Sequence, residues 1–130
     1  MPGHAILAIT DAGFDEVVKA LRGIGDASSL HVEVIGSSPR VAVFVGEKRF
    51  LRAQTYGAAV TIVIEGSPTT IKIVVPEIER GLFGRSSVTP RDYAWSILRE
   101  LSQRLRVEVV KEIERYAADR AGELSMGSSA

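Results

Sequence analysis

The chain contains no cysteine. Disulfides, thiolate nucleophiles and zinc–sulfur centres are therefore excluded. It also contains no asparagine, only two glutamines (Gln54 and Gln103) and two methionines. Thermolabile side chains of this kind are depleted in proteins from hot environments, and arginine outnumbers lysine twelve to four. The pattern points to a thermophilic source, with a GC-rich genome as the alternative cause. No apolar run approaches the roughly 20 residues of a membrane-spanning helix. The start, Met1-Pro2-Gly3-His4-Ala5-Ile6, lacks the basic and long apolar regions of a secretory signal. Sixteen basic residues balance sixteen acidic ones. A zero net charge gives no electrostatic reason to expect nucleic acid or an anionic membrane as partner, and it leaves little repulsion between copies. The expectation is a cytoplasmic protein.

At 130 residues the chain is one domain, long enough to bury its own core. His4–Thr10 is an apolar run of strand length. Thr10 and Asp11 are candidate N-caps for a helix in which Phe14, Val17, Val18 and Leu21 recur at helical spacing. From Leu30 to Val75 the chain reads as an antiparallel meander of five strands. Gly36–Pro39, Gly46-Glu47, Tyr56-Gly57 and Gly66–Thr69 supply its turns. Thr89-Pro90-Arg91-Asp92 carries the composition of a helix start. Beyond it Ile97, Leu98, Leu101, Leu105, Val109, Ile113 and Tyr116 trace an apolar stripe, with Glu100 and Arg104 as an outward i,i+4 pair. The prediction is an α+β domain over residues 1–121. An antiparallel sheet of about six strands, in the order β-α-β-β-β-β-β-α, packs on one long C-terminal helix. Residues 122–130 form a flexible tail. A helix from Pro90 to Ala121 would be about 48 Å long, twice the length of a strand of about 23 Å. Either it breaks near Val107–Val110, or its second half packs on another subunit. The latter makes Leu105, Val109, Ile113 and Tyr116 interface candidates.

Chemical signatures are sparse. His4 and His31 lie near the ends of different strands without the spacing of a zinc site or a catalytic triad, which predicts ordinary surface or edge residues. No metal and no cofactor are expected. Asp15 and Glu16 fit the dipole of a first helical turn. Lys48, Arg49 and Arg52 form a small basic patch without interleaved aromatics, more suited to guarding a sheet edge than to nucleic acid. The best ligand candidate is the segment holding Arg80, Leu82, Phe83, Arg85, Ser86 and Ser87. It combines two glycines, two large apolar side chains and a position just before a helix N-terminus, where free N–H groups favour anions. A structural reading stands beside it: Leu82 and Phe83 plug the core while the serines compete as caps. Val41–Val45 and Val60–Ile64 are apolar on both faces. A sheet covered on one side alternates cleanly, so their outer face is expected to be buried as well, by the first helix, by a curled sheet or by a second copy.

The order strand, helix, five-strand meander, long helix resembles the helix-grip fold of the START/Bet v 1-like superfamily. That resemblance implies a curved sheet around a long helix, often with an apolar ligand cavity. This chain departs from it in having one short first helix in place of a pair, and a meander one strand short. Leu51–Gly84, a hairpin followed by Gly-Leu-Phe-Gly, is similar to small prokaryotic proteins of unknown function. The leading functional expectation is a non-enzymatic binding or assembly module, a homodimer joined through the long helix or the outer sheet face. The alternative is a carrier of a small apolar ligand between sheet and helix. An enzyme with an anion site near Arg85 ranks third.

Overall fold

Along Thr69–Val75 burial alternates at every residue, the mark of a strand with one face in a core. His4–Ala8 is instead buried throughout, as its unbroken apolar run requires. The computed structural model describes residues 2–25, 31–50, 55–76 and 89–125. Among them are β1 (Gly3–Thr10), α1 (Phe14–Arg22), β2 (His31–Ile35), β3 (Val41–Phe50), β4 (Thr55–Ile64), β5 (Thr69–Val75), α2 (Pro90–Ser102), β6 (Glu108–Tyr116) and a 3₁₀ helix (Ala118–Leu124). The strands form one antiparallel sheet in the order β2-β3-β4-β5-β1-β6. The α+β class and the six strands agree with the sequence reading. None of the described helices is long and apolar enough to cross a membrane.

Both α-helices lie on one face of the sheet. Phe14, Val17, Val18 and Leu21 of α1, and Tyr93, Ala94, Ile97, Leu98 and Leu101 of α2, pack against Ile6, Phe44, Val63, Ile71 and Ile73. α2 begins as its sequence dictates. The Thr89 hydroxyl accepts from the Asp92 N–H at 3.1 Å, the Asp92 carboxylate accepts from the Thr89 N–H at 3.2 Å, and Pro90 occupies the first turn. α1 starts differently from expectation. Its N-cap is Gly13, and the Thr10 hydroxyl donates instead to the Arg106 carbonyl at 2.7 Å while accepting from the Ala12 N–H. Arg104 does not stay on its own helix surface: it donates to the carbonyls of Ala20 and Gly23, closing the C-terminal end of α1. At the opposite corner Arg40 lies 4.6 Å over the Phe14 ring and donates to Asp15 and Glu65. Asp15 thus has a specific partner beyond the helix dipole.

Two expectations are corrected. The long C-terminal helix does not exist: α2 ends at Ser102, and Glu108–Tyr116 is a strand paired with β1. Val107, Val109, Val110 and Ile113 supply the reason, since β-branched side chains lose rotamer freedom in a helix and fit a pleated surface. The chain therefore lacks the long terminal helix on which the helix-grip resemblance rests. Among the described residues the meander has four strands, not five. Gly46 and Glu47 are not a turn but interior residues of β3, opposite Ala59 and Ala58. β6 makes up the sixth strand.

The opposite face carries a smaller core. Leu124, near the end of the 3₁₀ helix, is buried on Ala5, Leu7 and Ile113, with Val74 and Tyr116 beside it. Gly122, where the sequence turns small and polar, lies inside that helix. Gly3 is pinched between two backbones: a Cβ there would sit 2.8 Å from the carbonyl oxygens of both Val75 and Tyr116. Gly3→Ala should therefore cost about 1–3 kcal/mol by overpacking. A thermal melt reads this as a midpoint several degrees lower; an unchanged midpoint would show that β5 and β6 spread freely.

Candidate functional site

Two places on the described surface depart from an ordinary packed domain. The first is a polar cluster between β1, β6 and α2. His4, expected at the surface, has a side chain only 2% exposed, and its Nε2 lies 2.8 Å from Glu112 Oε2. The Trp95 indole N–H donates to the same carboxylate oxygen, and Arg91 Nε stands 3.8 Å away. The strand register creates this convergence. Glu112 is opposite Ile6, so it faces the helical layer, where Trp95 meets it. Burial pushes the Glu112 carboxyl up, but hydrogen bonds from His4 and Trp95 and the charges of His4 and Arg91 outweigh it and hold the group below the usual carboxylate range.

Beside the cluster is a cleft of about 350 Å³ lined by Pro2, His4, Thr89, Pro90, Arg91, Glu114 and Arg115. The carboxylate accepts a hydrogen bond from His4 Nε2, the kind of contact that orients an imidazole ring. A nucleophile within reach would complete a catalytic dyad. Among the described residues none is hydrogen-bonded to His4 other than Glu112, and the Thr89 hydroxyl is committed to its helix cap. Among the described residues the cluster ties β1, β6 and α2 together. Neither His4 nor Glu112 carries a sequence motif; the one signal is a histidine at the head of the apolar run of β1, while Glu112 is one of five charged residues in β6.

The second place is the outer face of the sheet. Alternate residues of β3 and β4 point away from the helices, and their register sets Val41 against Ile64, Val43 against Ile62, and Val45 against Val60. All six are partly exposed, while the residues between them are buried under the helices. Among the described residues, no helix covers this face over β2–β5. The Leu124 core shields only the β1/β6 side. This is the two-sided apolarity of the sequence, with one side left without a helical cover among the described residues.

The expected helical interface does not form one surface. Leu105 follows α2 and packs on the main core, Val109 is 38% exposed on β6, and Ile113 is buried beneath the 3₁₀ helix with Tyr116 alongside. His31 is exposed, as expected, 3.4 Å from Glu33. Arg80, Leu82, Phe83, Arg85, Ser86 and Ser87 lie outside the described residues. Comparison with protein-family models, with curated proteins and with solved structures found no match to this chain.

Proposed function

We propose that the protein is a non-enzymatic assembly module that self-associates through the outer face of its sheet. The observation that carries this reading is the valine and isoleucine block of β3 and β4, partly exposed and, among the described residues, without a helix over it. Contiguous apolar surface of this kind marks interaction sites in soluble proteins, and two sheets stack face to face about 10 Å apart by interdigitating such side chains. The balanced net charge leaves little long-range repulsion to oppose it. The carrier reading requires space between sheet and helices. Ile6, Phe44, Ile71, Ile97 and Leu101 fill that layer, each with no exposed surface, so this observation favours assembly.

Sedimentation velocity over a concentration series tests the reading. The wild type should sediment as a dimer, and Ile62→Asp, which places a charge mid-face beside Lys72, should sediment as a folded monomer. A wild type that stays monomeric at every concentration would overturn the reading.

A further inference from the structure

The uncovered part of the outer face has a pattern of charge that selects its occupant. One register row crosses four strands: Glu33 of β2 is opposite Val43 of β3, Val43 opposite Ile62 of β4, and Ile62 opposite Lys72 of β5. The row thus reads acid, apolar, apolar, base, with its centre between β3 and β4. Glu33 shares this face with His31, two residues away on the same strand, and its side chain is 60% exposed. Lys72 makes no ion pair among the described residues. On the far side of β5 the surface ends against the Leu124 core, so the open region spans β2 to β5 and no further.

Resting on the self-association proposed above, we infer that the occupant is a second copy related by a two-fold axis. The axis runs along the strands between β3 and β4, so that Glu33 of each copy meets Lys72 of the other. Such an axis keeps the level along the strands and exchanges the two sides of the row. β2 then lies over the partner's β5, and Val43 lies over the partner's Ile62. The pairing occurs twice, as isologous contacts must. Aligned sheets cross at about 30°. At one and a half strand spacings from the axis, this displaces the paired charges by about 4 Å along the strands, within the reach of a lysine side chain. An axis shifted towards β5 drives one copy's edge into the 3₁₀ helix or sets Lys72 against valine and isoleucine, and an axis shifted towards β2 leaves Lys72 with no strand of the partner opposite it.

Complementary charge reversal tests the geometry. Glu33→Lys alone and Lys72→Glu alone each place like charges in contact twice, and each should weaken dimerisation roughly 10- to 100-fold. A 1:1 mixture of the two variants should associate again, because one chain then presents two bases where the other presents two acids. Native mass spectrometry should show that mixture as a heterodimer of close to wild-type affinity, distinguished by its mass. If the mixture stays dissociated, or the single variants dimerise as the wild type does, the two-fold arrangement is overturned. Self-association through this face still stands in that case, provided that Ile62→Asp breaks the wild-type dimer. A monomeric wild type overturns both. Circular dichroism of the variants checks that the exposed substitutions leave the fold intact.

Discussion

A chain that stops at Leu105 should not fold. β6 would be missing, and with it the ladder to β1 that runs from Gly3–Tyr116 to Ile9–Glu108. Ala5 and Leu7 would lose the cover of Ile113 and Leu124. Burying two such aliphatic side chains contributes about 3–6 kcal/mol. His4 and the Trp95 indole would lose their hydrogen bonds to a common charged acceptor, each contributing roughly 1.5–3 kcal/mol. The sum approaches the whole stability of a small domain, about 5–15 kcal/mol. Far-ultraviolet circular dichroism and amide dispersion in a proton–nitrogen spectrum should show an unfolded or molten chain. A cooperative melt of the truncated protein would instead mean that β1 through α2 form a self-sufficient core.

The second large effect sits at one carboxylate. Glu112→Ala should lower stability by about 2–4 kcal/mol, since it removes the acceptor of two donors and a negative charge beside a buried imidazole. Glu112→Gln should fall between this variant and the wild type, keeping an acceptor while losing the charge. The pH dependence has a definite sign. The folded carboxyl titrates below its ordinary value, so the unfolded chain binds the proton more readily. The stabilisation is fully present above the unfolded value of about 4.3 and is lost as pH falls through the folded value. Urea denaturation from neutral pH down to about pH 3 should therefore show a steeper loss for the wild type than for Glu112→Gln. Parallel profiles would show that the His4–Glu112 contact does not couple to folding.

Helical periodicity alone joins α2 and β6 into one helix. Leu105, Val109 and Ile113 are four residues apart. That step fits a helix face and also two periods of a strand, so the stripe cannot discriminate. The β-branched cluster Val107–Val110 did discriminate, and it marked the place where the helix was expected to break or leave the subunit. Gly46-Glu47 misled in the other direction. Glycine opposite Ala59 in a sheet interior looks, in one dimension, like a hairpin. Legible features were those set by local chemistry: the capping box at Thr89, the alternation of Thr69–Val75, and the two-faced apolarity of β3 and β4. The His4–Glu112–Trp95 cluster was illegible because it joins residues as far as 108 positions apart. Only the pairing of the first strand with the last brings them together.

The place of β1 also fixes the order of events at synthesis. It leaves the ribosome before the other described strands, yet its neighbours are β5 and β6. β2, β3 and β4 can zip as consecutive hairpins while the chain is still growing. β1 cannot, because about 65 residues must be added between Thr10 and Val75. At translation rates of 5–20 residues per second that is roughly 3–13 s, and β6 follows later still. Through that interval a strand that ends up buried along almost its whole length waits without a partner, a nascent segment exposed to chaperone capture before its own sheet arrives.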